Sequence, residues 1–460
     1  MKHSRLFFFL VFVLLVLSHL GFALEANSFL NGVPTLLSQS DRVVENTFKE
    51  RVLRRTVVKV KVGGEIRYRL ELRNNFTFND ATNEDDAVNL FRNRLNIDLS
   101  LGPYLHVFSE GQDAESVAQS GLNRTTAFVN RFDLRQLYVE TKSPSKKFPL
   151  QVKAGRQVLS YGDQRFVGGF DWSNVARVFD AAKIVYPVTQ WFQTDLWFAQ
   201  VVPTSRSRLD SAAHHDNFYG IYTTLKPFSD HLLDTFLFIR HDRNREITGE
   251  KAGARGQLKE FTFGNRFKGK KWNWDYGTEW AVQFGSRAHE RIGAWALHQE
   301  LGYTFIFFPW SPRLSAEFNH GSGDHDPKDG KVGNFDNLFP TNHIHYGYID
   351  FASLRNMNDI KVGGELKPNT KLKCSVDYHW FFLDTSAGPW FNAGQSVVRA
   401  ANPDASITLG QEIDLLMRWK LSHHFDFLMG YSRFLTGPFV EDTGVANNAD
   451  FFYIQPTFSF

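Results

Sequence analysis

The sequence predicts an all-β protein, a transmembrane, up-and-down antiparallel β-barrel of about 18 strands of the outer-membrane type. Three observations predict this fold. Long segments alternate apolar and charged residues, short and long connections alternate along the chain, and the N-terminus has the pattern of a secretory signal. Lipid outside and water inside a membrane barrel require strands that are apolar on one face and polar on the other.

The alternation is clearest at residues 58–73. Even positions, from Val58 to Leu72, are apolar or small, and odd positions, from Lys59 to Arg73, are mostly charged. Successive side chains of a strand point to opposite faces, so one face here is apolar and the other ionic. The same phase returns in later segments, and the last ends in Phe460, an aromatic terminus typical of bacterial outer-membrane proteins. The alternative is a soluble β-sandwich or jelly roll, which rarely needs so many long strands.

The strand-like segments and their connections follow a regular order. Strands are predicted near 57–74, 90–101, 103–111, 130–142, 149–157, 177–187, 190–203, 216–228, 231–243, 257–268, 271–286, 294–308, 311–321, 354–367, 370–384, 408–421, 424–436 and 450–460. Short connections alternate with longer polar ones, of which the longest are 158–176, 322–353 and 385–407. A barrel with brief turns at one end and long loops at the other produces this pattern.

The N-terminal region predicts export. Residues 1–23 have a basic start, an apolar run at 6–17 that is too short to span a bilayer, and small residues before a cleavage site after Ala23. The alternative is an uncleaved anchor. Residues 24–56 are predicted to be a periplasmic segment or a small plug, and 57–460 the barrel with long extracellular loops. We therefore expect the protein in the bacterial outer membrane.

Charge and cysteine content exclude several classes of function. Cleavage after Ala23 lowers Lys plus Arg from 52 to 50 against 49 Asp plus Glu, which argues against bulk nucleic-acid binding. Cys374 is the single cysteine, so the chain forms no intramolecular disulfide and no thiolate metal cluster. The sequence contains no nucleophile elbow, Walker loop or H-E-x-x-H motif, and we predict that the protein is not an enzyme.

Arginine is concentrated in the first five predicted strands. Charged side chains are costly toward lipid, so these residues are expected to face the lumen, where clustered guanidinium groups favour anions and match carboxylates. The alternative is that they pair with acidic neighbours such as Glu65, Glu71, Asp98 and Asp133 to join adjacent strands. The phase of Arg156 is that of apolar residues, so its direction stays open. The candidates from this reasoning are Arg67, Arg69, Arg73, Arg92, Arg94, Arg131, Arg135 and Arg156.

Two long motifs carry a family resemblance. DLRQLYVE at 133–140, continued by VKAGRQVLSYGDQRFVGGFDWSNVARVFDAAKI at 152–184, forms the first. GSGDHDPKDGKVGNFDNLFPTNHIHYGYIDF at 321–351 forms the second. With the strand order, they make nearly the whole mature chain resemble the alginate export family of outer-membrane alginate porins.

The resemblance implies an 18-stranded barrel that passes a linear polyuronate through an arginine-lined pore narrowed by a loop. On matching positions it marks five substrate-path cations, Arg94, Arg135, Arg156, Arg165 and Arg177. It also marks Asp163 and Asp180 as carboxylates that hold these arginines in place. The family is broad, so membership supports a pore better than it supports a particular polymer. Loop 158–176 is long enough to enter the lumen and carry Arg165 there, or it lies at the surface.

No cofactor is predicted, and one calcium loop is considered. Asp324, Asp326 and Asp329 precede Gly330, but the spacing departs from an EF-hand, and a solvated turn is the preferred interpretation. The expected function is an outer-membrane channel that passes an anionic polysaccharide or small anionic solute by passive diffusion. The alternatives are a general porin for small solutes or ions, and a plugged structural or adhesive barrel. Outer-membrane lipid and the barrel assembly machinery are the expected partners, without nucleic acid.

Overall fold

A computed structural model describes residues 58–81, 86–118, 126–145, 148–206, 208–251 and 253–460. Its strands are β1 Val58–Asn74, β2 Asp86–Leu101, β3 Leu105–Val117, β4 Asn130–Lys142, β5 Gln151–Gln157, β6 Phe179–Thr189, β7 Phe192–Val201, β8 Asp216–Phe228, β9 His231–Thr248, β10 Arg255–Lys271, β11 Trp274–Arg287, β12 Glu290–Thr304, β13 Arg313–Gly321, β14 Lys331–Val332, β15 Met357–Leu366, β16 Leu372–Phe382, β17 Trp390–Phe391, β18 Val397–Arg399, β19 Thr408–Lys420, β20 Phe425–Thr436 and β21 Ala449–Ser459. Helical structure in this part of the chain is limited to a 3₁₀ turn at Asn342–Ile344 and α1 at Pro438–Thr443. None of the described helices has the length and apolar character needed to cross a membrane.

Eighteen of these strands form one closed antiparallel barrel, as the sequence predicts. Each strand pairs with its neighbour in the chain, and β1 pairs with β21 to close the ring. Three short strands lie outside this ring. The β14 strand adds a parallel pair to β12, and β17 and β18 form a small hairpin within a loop. Because the barrel closes, its long strands leave no unpaired edge.

Two connections differ from the predicted pattern. A long loop is predicted at 287–293, but residues 288–289 form a two-residue hairpin turn. Its Ala288 and His289 have φ values of +48° and +73°, a conformation normally signalled by Gly or Asn, so the sequence contains no turn signal there. At the other end of β12, the turn predicted at 309–310 spans 305–312, because its apolar run resembles a strand.

The two faces of each strand differ as the alternation predicts. In β1, Val60 and Ile66 are about half exposed on the outer wall, whereas Arg67 and Arg69 on the opposite face are buried. In β19, Leu415 is exposed and Asp414 is buried. The apolar outer wall can contact lipid, and the ionic side chains are kept inside the barrel.

Loops from the long-loop end pack into the barrel interior. The loop 158–178, called the inner loop below, contributes buried Phe166 and Val167 to an aromatic core. Loop 333–356 adds Phe335 and Phe339, and loop 383–407 adds Trp390. Phe339 packs edge-on against Phe179 of β6 and Phe218 of β8. Part of the aromatic content of the chain therefore points inward and fixes the loops.

The predicted signal peptide at 1–23 and the periplasmic segment or plug at 24–56 lie outside the described residues. The barrel starts at Val58, one residue after the predicted boundary.

Candidate functional site

Five arginines form one patch on the inner wall, which we call the arginine wall: Arg67 and Arg69 of β1, Arg92 and Arg94 of β2, and Arg135 of β4. Each is at most 9% exposed. The β1–β2 register places Arg67 directly opposite Arg92 and Glu65 opposite Arg94, so these side chains share one face. Like charges held this close require counter-charges nearby.

The inner loop supplies one such counter-charge through Asp171. Its Oδ2 accepts a hydrogen bond from Nη2 of Arg92 at 3.0 Å, and its Oδ1 accepts from Nη1 of Arg94 at 2.8 Å. Arg135 Nη2 lies 4.0 Å from Oδ1. Burial alone would raise the pKa of Asp171, but the surrounding arginines, led by Arg92 and Arg94, lower it overall. The carboxylate is therefore held ionised between guanidinium groups.

Backbone atoms of the inner loop bind the same wall. The carbonyl oxygen of Asp171 accepts from Arg67 at 2.9 Å and from Arg92 at 3.0 Å. The carbonyl oxygen of Trp172 accepts from Arg69 at 2.7 Å, and that of Ser173 accepts from Arg67 at 3.2 Å. These hydrogen bonds hold the inner loop against β1 and β2, and their acceptors are uncharged backbone carbonyl groups.

Strand carboxylates compensate part of the arginine charge. Arg69 pairs with Glu71 at 2.7 Å and Arg92 with Glu65 at 2.6 Å. Arg135 pairs with Glu110 of β3 at 2.5 Å. Three strand carboxylates thus face five arginines, and Asp171 is the fourth anionic group. The ladder of ion pairs that joins strands is therefore present in this patch, and its five arginines outnumber its four carboxylates.

The beginning of the inner loop is fixed to the opposite side of the barrel. Asp163 accepts from Arg266 of β10 at 2.7 Å and from Lys268 at 3.0 Å. Burial opposes ionisation of Asp163, but these two cations, with Arg266 first, lower its pKa overall. Asp163 therefore binds cations of β10 rather than any of the predicted substrate-path arginines.

Arg165 is buried in a network of three other strands. Its Nη2 lies 2.9 Å from Nε2 of His298, and its guanidinium lies 3.6 Å from Glu279 and 4.0 Å from Glu317. Burial would lower the pKa of Arg165, but Tyr346 and these two glutamates raise it overall. The loop thus carries Arg165 into the interior, where it is surrounded by fixed acidic groups.

Arg177 closes the inner loop on itself. Its Nη1 donates to the carbonyl oxygen of Gly168 at 3.1 Å and to that of Pro340 at 2.9 Å. Burial, together with the nearby charge of Arg240, lowers the pKa of Arg177 to about 10. Arg177 is therefore protonated at neutral pH, and its hydrogen bonds join the inner loop to loop 333–356.

The remaining predicted cations, Arg73, Arg131 and Arg156, are held by carboxylates, and Arg73 pairs with Glu71 at 2.6 Å. Arg131 is exposed at the end of β4 and forms an ion pair with Glu115. Arg156 shares its alternation phase with exposed Val152 and donates to Asp180 at 2.8 Å from Nε and 3.1 Å from Nη2. Asp180 thus holds Arg156, as the resemblance implies, and Nη1 of Arg156 also lies 3.9 Å from the buried carboxylate of Asp133. A role for any of these arginines in the substrate path stays a prediction.

A second, acidic patch on the inner wall was not singled out from the sequence. We call it the acidic wall: Glu279 of β11, Glu317 of β13, Asp359 of β15, and Glu412 and Asp414 of β19. Four of them are buried, and the side chain of Glu317 is 9% exposed. His379 lies between Asp359, 2.9 Å from Nδ1, and Asp414, 3.6 Å from Nε2. The alternation of β19 places Glu412 and Asp414 on the polar face, but nothing local to the sequence brings residues of four strands into one patch.

The candidate calcium loop forms ordinary turns. Asp324 accepts from the backbone N–H of Gly333 at 2.8 Å, and Asp329 accepts from that of Lys331 at 2.6 Å. Asp326 accepts from the N–H of Lys328 at 3.2 Å. Among the described residues, no three His, Cys, Asp or Glu side chains are arranged to hold a metal ion. Calcium binding here stays a prediction, and these oxygens already have backbone partners.

Comparisons with known proteins agree with this architecture. The family model described as "Alginate export" matches residues 58–453. Among solved structures, Pseudomonas aeruginosa OccK5 (OpdH) aligns with a TM-score of 0.56 at 9% identity, covering 87% of this chain and 98% of that one. Pseudomonas aeruginosa OccK10 (OpdN) gives 0.55 at 12%, covering 87% and 99%, and OccK11 (OpdR) gives 0.53 at 12%, covering 87% and 96%. No curated protein matches the sequence at a significant level. At these identities the structural likeness shows the fold.

Proposed function

Because the chain belongs to the alginate export family and forms a channel barrel of the bacterial outer membrane, we propose that it passes an anionic saccharide, an alginate-like polyuronate, along the arginine wall by passive diffusion. Weak anionic sites close together allow a charged polymer to advance without being trapped. The sequence offers no nucleotide-binding motif to drive transport.

One observation carries this proposal, the binding of the Asp171 carboxylate by Arg92 and Arg94 at 3.0 and 2.8 Å. A uronate unit bears the same functional group, and guanidinium groups bind carboxylates in this planar geometry. Nη2 of Arg135 stands 4.0 Å from Oδ1 of the same carboxylate, so a third guanidinium group adjoins this position. The arginine wall can therefore bind successive uronate carboxylates once the inner loop has moved away from it.

In this proposal, the inner loop occupies the arginine wall until the polymer displaces it. Asp171 has a side chain that is 57% exposed, so one side of its carboxylate is accessible. Several charge-assisted bonds hold the loop, each worth about 1.5–3 kcal/mol. A polymer that offers several carboxylates at once competes with a single Asp171. Outer-membrane lipid around the barrel and the barrel assembly machinery complete the proposed partners.

Planar-bilayer recording of the purified, folded barrel tests the proposal. The wild type is expected to prefer anions in a salt gradient, and a polyuronate oligomer should block its current while a neutral oligosaccharide of equal length should not. Arg94→Gln should weaken both the anion preference and the block. The matched control is Arg433→Gln, because Arg433 is exposed and pairs with Asp450 on β21, away from the wall. A cation preference that Arg94→Gln leaves unchanged would refute the proposal.

The acidic wall favours a second candidate, a general porin for small solutes or ions. Opposite charges on two parts of one inner wall suit small dipolar solutes as well as anions. Under this candidate, uncharged sugars pass as readily as uronates and polyuronate does not block the current. A barrel without measurable conductance would instead favour the plugged structural or adhesive barrel, since loops pack deeply into the interior.

A further inference from the structure

A basic cavity lies at the long-loop end of β7, β8 and β9. It has a volume of about 950 Å³ and is formed mainly by the loop 202–215 that joins β7 to β8. Its basic lining comes from the exposed side chains of Arg206, Arg208 and Arg243, together with His214 and His215. None of the described residues that line it is acidic. The cavity is therefore suited to an anion.

The strand register places one side of this cavity, at Arg243, on the outward face of the barrel. Leu237 and Ile239 of β9 line a groove on the outer wall, and alternation continues the same face through His241 to Arg243. The neighbouring strand β8 shares this face, because its Tyr219 pairs with Ile239. The Arg243 side of the basic cavity therefore continues the outer wall at the long-loop end.

An apolar groove lies on the same strands, closer to the membrane centre. It has a volume of about 510 Å³, and its outward lining includes Leu196, Phe198, Tyr219, Ile221, Leu237 and Ile239. At about 3.3 Å per residue, the four residues from Ile239 to Arg243 span roughly 13 Å. The outward face therefore changes from apolar to basic within roughly 13 Å of strand.

The cations of the cavity are available for a ligand. Within the described residues, no hydrogen bond or ion pair engages the guanidinium of Arg206 or Arg208. Arg243 donates to the carbonyl oxygen of His214 at 2.7 Å and keeps its other donors, whereas His215 is paired with Asp242 at 2.8 Å. Three guanidinium groups can thus converge on one phosphate.

We propose that this outer face binds a phosphorylated, acylated lipid of the outer leaflet, with its phosphate in the basic cavity and an acyl chain in the apolar groove. The basic cavity and the apolar groove lie along the same outward face. A lipid therefore fits this site better than a soluble polymer, which has no acyl chain to place in the groove. This inference goes beyond the proposed transport function and does not depend on the cargo.

Lipid retention by the detergent-purified, folded barrel tests this inference. Native mass spectrometry with bisphosphorylated lipid A and with its dephosphorylated form measures how much lipid stays bound. The wild type should retain the phosphorylated form preferentially. The triple variant Arg206→Ala, Arg208→Ala, Arg243→Ala should bind it on the order of 100-fold more weakly, since each basic residue contributes about fivefold near an anionic lipid surface.

Two matched variants separate this effect from general loss of charge. Replacing all three arginines by lysine should restore most of the binding, because the charges return. Replacing Lys270, Lys271 and Lys371 by Ala removes the same charge at the short-turn end and should leave binding unchanged. Equal retention of both lipid forms, or full retention by the triple Ala variant, would overturn the inference. Preferential binding of a soluble polyuronate at this cavity would overturn it as well, in favour of a polymer site.

Discussion

The guanidinium group of Arg69 lies 3.7 Å above the indole ring of Trp172. This contact joins the barrel wall at β1 to the tip of the inner loop, next to the bound carboxylate of Asp171. The imidazole of His343 stacks on the same indole, with ring centroids 3.8 Å apart. Trp172 is thus held between a wall cation and a second loop, so the position of the inner loop depends on aromatic packing as well as on charge.

Replacing Trp172 by Ala should loosen the tip of the inner loop. A cation–π contact at a partly buried site contributes about 0.5–2 kcal/mol, so the population of the displaced loop should rise several-fold. Single-channel recordings should show more frequent current fluctuations, with folding unaffected. The control Trp272→Ala changes an exposed indole in the β10–β11 turn. Recordings that match the wild type would show that Trp172 does not hold the loop.

Replacing Asp171 by Asn should strengthen the interaction of the channel with anions. The amide keeps the shape of the side chain but removes the negative charge that Arg92 and Arg94 bind. Competition from the loop then falls, and polyuronate should block the current at a roughly tenfold lower concentration, equivalent to about 1.4 kcal/mol. The measurement is current block as a function of oligomer concentration.

Asp404→Asn is the matched control for this change, since Asp404 is exposed on a loop at the same end of the barrel. The difference between the two variants should shrink as salt rises from about 0.1 M to about 1 M, because the Debye length falls from about 10 Å to about 3 Å. Weaker block by polyuronate in Asp171→Asn would mean that this carboxylate assists rather than competes with the anion.

The barrel and the inward direction of its arginines could be predicted because both depend on local alternation. Arg67 and Arg69 must turn away from lipid wherever Ile66 faces it, whatever the remaining fold. Glu65, one partner of Arg92, is among the predicted acidic neighbours, but the partner of Arg92 on the inner loop could not be predicted in this way. Asp171 is 79 positions distant, and its location depends on how Phe166 and Phe339 pack the loops inside the barrel.

The acidic wall illustrates the same limit. Glu412 and Asp414 are on the polar face of their strand by alternation, but their neighbours come from β11, β13 and β15, and only the closed register brings them together. The turn at Ala288 and His289 is a different case, since its left-handed conformation is adopted by residues that carry no turn signal. Long-range packing and unusual backbone conformation therefore account for what the sequence did not predict.

The docking of the loop 202–215 should depend on pH through Asp210. Its carboxylate accepts from the N–H of Ser205 at 2.5 Å and from Asn130 at 2.7 Å, while its own N–H donates to Asp133 at 3.0 Å. Burial, together with the charge of Asp133, raises the pKa of Asp210 to about 6, although these hydrogen bonds oppose the shift.

A raised carboxyl pKa means that the folded protein binds this proton more tightly than the unfolded chain. The contribution of Asp210 to stability is therefore greatest at low pH and is lost as pH rises from about 4 to about 6. Asp210→Asn should be more stable than the wild type at neutral pH and similar to it near pH 4. Thermal unfolding at both pH values measures the difference, with Asp404→Asn as an exposed control. A variant that shifts stability equally at both pH values would contradict the assignment.

Replacing Arg165 by Met should destabilise the barrel more than any change at an exposed arginine. Arg165 is 3% exposed, and its guanidinium lies between Glu279 and Glu317. Removing one partner from a buried charge network typically costs about 3–5 kcal/mol, because the remaining charges lose their compensation. Glu317 keeps Lys361 at 2.6 Å, so the loss falls mainly on Glu279. The midpoint of denaturant unfolding measures the change.

Two further variants of this network distinguish charge from shape. Arg165→Lys should recover part of the loss, since it restores the charge but not the planar group. The double variant Arg165→Met, Glu279→Gln should be more stable than Arg165→Met alone, because the uncompensated carboxylate is gone, and the departure from additivity measures the coupling of the two residues. If Arg165→Met costs less than about 1 kcal/mol, as at an exposed pair, Arg165 does not fasten the inner loop to the acidic wall.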